Sequence, residues 1–218
     1  MEHNCDIAIV GGGLNGPALA LAAAQVGLRV IVLDATSHKP RKNAKFDGRA
    51  YALALASKRL MAAVGVWENV AQDAEPMLNI RVSDGRAGVG ASSFFMDFDH
   101  AELEEGPMGY MVEDRHLRYA LQAAMQTSPL IEYRLATRVT GQSTGPEGVT
   151  LSLANNQKIT TRLLVGADGR QSGTAARAGI TYTGWQYGQT ALVCAVEHDR
   201  PHGGVAHQFF MPAGPMAV

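Results

Sequence analysis

Apolar runs alternate with glycine-punctuated polar stretches along the chain, and the opening pattern predicts a strand, a helix and a second strand. Residues 6–10 form a short, largely β-branched run suited to a strand buried on both faces. Three glycines interrupt it, and the run ALALAAAQV from Ala18 predicts a helix that stops at Gly27. Residues 29–33, RVIVL, predict a second buried strand ending in Asp34. A polar, basic loop over 35–47 follows, and Ser57 is placed to cap a short helix over 58–64. Residues 77–84 and 93–98 predict strands joined by a glycine-rich turn, the second half-buried through Phe94, Phe95, Met96 and Phe98. An acidic loop carries Glu102, Glu104 and Glu105. Asp114 is placed to cap a helix with Leu117, Leu121 and Met125 on one face. Residues 131–153 and 158–165 predict strands around a turn at Asn155-Asn156.

This order implies a discontinuous pair of domains. The chain leaves the opening fold after Trp67, returns near Gly109 and leaves again after Ile180. The expected division is 1–75 and 109–180 for the first domain, with 76–108 and 181–218 for the second. Composition changes this picture little. With 19 basic and 20 acidic side chains there is no electrostatic case for a nucleic-acid partner. Cys5 and Cys194 form neither metal-ligand spacing nor a disulfide framework, so a reduced, cytoplasmic chain is expected. No apolar run has transmembrane length, and no signal peptide is visible. His198, His202 and His207 read as hairpin residues after 189–197, and no metal site is expected.

Two motifs carry chemistry. Gly11, Gly13 and Gly16 have the G-x-G-x-x-G spacing between a strand and a helix. The first glycine permits a tight turn, the second a close approach to a pyrophosphate, the third close helix–strand packing. Leu14 and Asn15 lie where the helix opens, so its N–H groups would face the phosphates. Asp34 stands where an acidic residue grips a ribose hydroxyl, and its charge disfavours a 2′-phosphate. The second motif, Gly166-Ala167-Asp168-Gly169, ends a buried strand. Its carboxylate serves either a ligand at the sheet edge or an Asx-stabilised turn. A dehydrogenase of the common kind would continue with further βα units, and none is visible, which favours FAD over NAD. No Ser-His-Asp or paired-carboxylate constellation is present, so catalytic residues are unassigned.

These motifs occur in a telling order. GGGLNG (11–16), DGRAYALALASKRLMAAVGVW (47–67), GYMVEDRHLRYAL (109–121), LLVGADGRQS (163–172) and the stretch 184–218 together resemble the single-component FAD-dependent aromatic hydroxylases. Within them the chain is most similar to the ubiquinone-biosynthesis branch. The resemblance implies an α/β fold, a Rossmann-like FAD-binding domain with a βαβ start, interleaved with a β-sheet-rich substrate domain. It implies FAD as cofactor, NAD(P)H as electron donor, O₂ as co-substrate and a polyprenylated phenol as substrate. It places Asp168 and Gly169 near the flavin and pyrophosphate and Arg49 toward the FAD. Asp114 falls near the ribityl chain or is a helix cap alone. Trp185, Tyr187 and Gln189 match a family stretch, either lining the substrate sheet or packing in a core. Work at the inner-membrane surface or in a biosynthetic complex is implied, without a membrane span.

Four departures stand out. The family usually has Glu where Asp34 stands and often Asn at Asp114. Ala175 occupies a position where many members carry Arg, with Arg177 two residues on. A further flavin motif, Gly-Asp followed by His-Pro, is absent from these 218 residues. The expectation is therefore the N-terminal part of a longer enzyme, which alone would hold FAD weakly and leave an open sheet edge for pairing. A reductase resembling the geranylgeranyl reductases, an NAD-linked dehydrogenase and a non-catalytic FAD-binding protein are the alternatives.

Overall fold

A computed structural model describes residues 4–102 and 104–218. Strand β1 (Cys5–Val10) leads to helix α1 (Asn15–Gln25) and strand β2 (Val30–Leu33). Then come β3 (Ala50–Ala54), α2 (Leu55–Ala63), β4 (Ala74–Met77), β5 (Asn79–Arg86) and β6 (Gly90–Asp99). Strand β7 (Gly109–Glu113) runs into α3 (Asp114–Thr127). The chain continues through β8 (Ile131–Arg134), β9 (Val139–Gly145), β10 (Gly148–Leu153) and β11 (Lys158–Gly166). Helix α4 (Gly173–Arg177), β12 (Val205–Met211) and β13 (Gly214–Ala217) complete the described elements.

The chain divides into two compact units. The first comprises Met1–Lys45, Met61–Asn69 and Arg115–Leu192. The second comprises Phe46–Leu60, Val70–Asp114 and Val193–Val218. These breaks do not coincide with boundaries at 75, 108 and 180.

The first unit is built on a six-stranded sheet ordered β8-β2-β1-β11-β10-β9. The strands β8, β2, β1 and β11 run parallel, and β10 is antiparallel to both its neighbours. Parallel strands covered on both faces need continuous apolar sequence, and β2 is buried at all four positions. One buried cluster gathers Cys5, Ala8, Val10, Ile31 and Leu33 with Val139, Leu151, Leu153 and Ile159. Helix α1 packs on β1, β2 and β8, and its run of alanines lets it approach closely. It ends in a Schellman arrangement: Gly27 (φ 84°) and Leu28 donate to the carbonyls of Ala24 and Ala23. Leu117, Leu121 and Met125 of α3 are buried, as their spacing predicts.

The second unit contains two sheets. One has the antiparallel order β3-β7-β4. The other is ordered β13-β12-β5-β6, with β12 and β5 parallel and the outer pairs antiparallel.

Several sequence expectations are corrected here. Helix α2 begins at Leu55, so Ser57 lies inside it and is not its cap. The stretch 131–153 is three strands, because Ala136 turns the chain with φ 51° and Gly148 with φ 124°. Strand β5 starts at Asn79, and Met77 belongs to β4. Residues 189–197 form no strand, although His207 does lie in the β12–β13 hairpin. Phe94, Phe95, Met96 and Phe98 are exposed: successive side chains alternate between the faces of β6, and both faces are uncovered by the described residues there. Trp185 and Tyr187 are also exposed and touch each other edge to face, so neither packs in a core.

Candidate nucleotide site

The turn after β1 is fixed by backbone packing. Gly11 donates its N–H to the Leu33 carbonyl at 2.8 Å, and Ala167 donates to the Val10 carbonyl at 2.7 Å. The ends of β2, β1 and β11 are thereby tied together. Gly11 has φ 117°, and a Cβ there would lie 2.1 Å from the Ala167 oxygen. A Cβ at Gly16 would lie 2.0 Å from the Gly11 oxygen, so this glycine lets α1 start against the turn. At Gly13 a Cβ would meet nothing within 4 Å, so the turn is open on that side. Leu14 occupies the N-cap position without a side-chain cap, and Asn15 opens the helix. Uncapped N–H groups and the positive end of the helix dipole favour an anion here.

Asp34, at the end of β2, accepts the Thr36 N–H on Oδ1 at 2.9 Å and the Tyr133 hydroxyl on Oδ2 at 3.0 Å. Burial raises the Tyr133 hydroxyl well above its ordinary pKa, and the Asp34 charge and hydrogen bond raise it further. A cavity of about 510 Å³ opens here, lined among others by Gly11, Gly13, Asp34, Asp168 and Gly169. Leu14, Asn15 and Gly16 are not among its lining residues.

Asp168 lines the cavity, yet its carboxylate is held from within. Ser172 donates its hydroxyl to Oδ1; Thr174 donates both its N–H and its hydroxyl to Oδ2 at 3.0 Å. Burial pushes the Asp168 carboxyl up, but these hydrogen bonds outweigh it and leave it below the usual range. Ser172 caps α4 by accepting the Ala175 N–H at 3.0 Å. Asp168 thus shapes the loop from β11 to α4, and Gly169 (φ 87°) makes its turn.

Arg49 and Asp114 belong to the second unit. Arg49 Nη2 stands 2.6 Å from Asp47 Oδ2 and 3.2 Å from the buried Asp114 Oδ2. The Tyr51 hydroxyl donates to Asp114 Oδ1 at 2.7 Å. The β3–β7 pairing sets Ala50 opposite Glu113, which carries Arg49 and Asp114 to the same strand ends.

Sequence reading missed Gly12, Tyr133, Arg118, Arg138 and Gln171. Gly12, Arg118, Arg138 and Gln171 line the cavity, as does Arg177, to which no role was given. The three arginines bring positive charge to the cavity that the glycine turn before α1 lines. An anionic group bearing a ribose fits this donor set: open backbone at Gly13, cations around it and an acceptor at Asp34. Among the described residues no group of His, Cys, Asp or Glu could hold a metal ion.

Comparison with known proteins is consistent with this geometry. A family described as FAD binding domain matches residues 4–211. The chain is 42% identical over 213 residues to a ubiquinone hydroxylase, UbiL, of Rhodospirillum rubrum, covering 98% of the chain and 48% of the relative. It is 33% identical over 214 residues to 3-demethoxyubiquinol 3-hydroxylase of Escherichia coli, covering 97% of the chain and 53% of the relative. The chain spans about half the length of these curated relatives. In fold it is similar to PqsL of P. aeruginosa in complex with 2-aminobenzoylacetate, with TM-score 0.69 at 17% identity, over 95% of this chain and 55% of that one.

Proposed function

The chain belongs to the FAD binding domain family, and from that premise we propose that its first unit holds FAD in the cavity beside Gly11, Gly13 and Asp34. The single observation that carries the reading is the convergence of an open glycine turn, an acidic strand end and three arginines on one cavity. Gly13 and the first N–H groups of α1 receive the pyrophosphate. Asp34 accepts from the adenosine ribose. Asp168 and Gly169 set the course of the loop that borders the nucleotide. Arg49 and Asp114 pair with each other within the second unit. The first unit is the nucleotide-binding domain and the second the substrate domain.

The complete protein is proposed to be an FAD-dependent hydroxylase of ubiquinone biosynthesis, with a polyprenylated phenol as substrate, NAD(P)H as donor and O₂ as co-substrate. The 42% identity to a ubiquinone hydroxylase supports this. When bound, FAD supplies the redox and oxygen-transfer chemistry, and the chain's residues bind it, orient it and keep water from it. No described helix is long and apolar enough to cross a membrane. A polyprenylated phenol is insoluble in water, so the reading includes work at a membrane surface or in a biosynthetic complex. Deleting the gene tests the reading: a ubiquinone precursor should accumulate. Normal quinone levels in a strain with no second hydroxylase would contradict it.

A further inference from the structure

Three residues from separate parts of the first unit's chain meet at one point, and two of them, Gly12 and Asp34, line the cavity. Gly12 comes from the turn after β1, Asp34 from the end of β2, and Tyr133 from β8. Strands β2 and β8 run parallel with Val32 opposite Tyr133, so the phenol reaches along the strand ends to the carboxylate two residues on. A Cβ at Gly12 would lie 2.3 Å from Asp34 Oδ2 and 2.6 Å from the Tyr133 oxygen. The carboxylate and the phenol thus fill the space that a side chain at position 12 would need.

We propose that Tyr133 is a positioning residue for nucleotide recognition, holding the Asp34 carboxylate in the orientation that accepts the ribose hydroxyls of an adenosine group. The inference rests on the FAD reading above. A carboxylate oxygen has two acceptor positions. The Thr36 N–H occupies one on Oδ1, and the Tyr133 hydroxyl occupies one on Oδ2. One position per oxygen is left, and the 2′ and 3′ hydroxyls of a ribose are two adjacent donors. Without the Tyr133 bond the Thr36 N–H alone among the described residues would hold the carboxylate, and ordering it would fall to the ligand. The phenol is a dependable donor, since burial and the neighbouring charge keep its proton in place at neutral pH. Gly12 completes the device, because any side chain there would displace the pair.

The test compares the complete protein's affinity for FAD with that for the analogue carrying 2′-deoxyadenosine. Wild type should prefer FAD by about tenfold or more, the size of one hydrogen bond to a charged acceptor. In Tyr133→Phe the preference should shrink to about threefold or less, because affinity for FAD, which loses two oriented contacts, falls more than affinity for the deoxy analogue, which loses one. Gly12→Ala, which crowds Asp34 from another strand end, should shrink the preference as well, so a folding defect in one variant leaves the other to decide. A preference retained in the folded variants would overturn the proposal, as would equal weakening toward both nucleotides, the mark of a merely structural role. Binding of neither nucleotide by wild type would instead overturn the FAD reading itself.

Discussion

At the residue scale the Asp34 carboxylate is held in place by the Thr36 N–H and the Tyr133 hydroxyl. Asp34→Ala removes a charged acceptor and should weaken FAD binding to the complete protein by about 1–3 kcal/mol, read by titration. Unchanged affinity would remove Asp34 from the site. Asp168 makes a different prediction, because its hydrogen bonds lie within the fold. Its carboxyl is lowered in the folded chain, so its contribution is present above the unfolded carboxylate value and is lost as pH falls through the folded one. Stability should therefore begin to fall below about pH 4, and the fall should be smaller in Asp168→Asn, seen as a flatter plot of melting temperature against pH. The glycines and Asp34 were legible in the sequence because a tight turn and the strand end beside it are local. Tyr133 was not, since it meets Asp34 from 99 residues away, through a strand pairing that no short motif encodes.

At the element scale, the β1-α1-β2 start rests on two glycines with different tasks. Gly27 carries the positive φ that ends α1, so Gly27→Ala should cost about 1 kcal/mol in denaturant melts and leave nucleotide affinity unchanged. Gly16 permits contact, and Gly16→Ala would place a methyl 2.0 Å from the Gly11 oxygen. The helix would have to shift, at about 1–3 kcal/mol, and with it the N–H groups assigned to the pyrophosphate. Loss of both stability and FAD affinity is expected; loss of stability alone would mean that the helix start does not touch the nucleotide. Helix α3 was legible because Leu117, Leu121 and Met125 repeat at helical spacing. The breaks between β8, β9 and β10 were not, because the first turns on Ala136, a residue type that rarely takes positive φ.

At the scale of the whole molecule, sequence order does not show which distant strands pair within the second unit. Strand β12 lies parallel to β5, more than a hundred residues earlier, and only tertiary contact sets that register. Residues 181–204 contain no regular helix or strand and expose Trp185, Leu192 and Val193. Limited proteolysis of this chain should cut there before it cuts the six-stranded sheet. Early cleavage within β1 or β2 would contradict that order. Whether this fold holds FAD is measured most directly by the identity and amount of nucleotide bound by the purified complete protein. Denaturing it should release FAD, close to one equivalent once apoprotein has been saturated, and NAD should not compete for the site. Binding of NAD in its place, or failure to take up FAD at any concentration, would contradict the account.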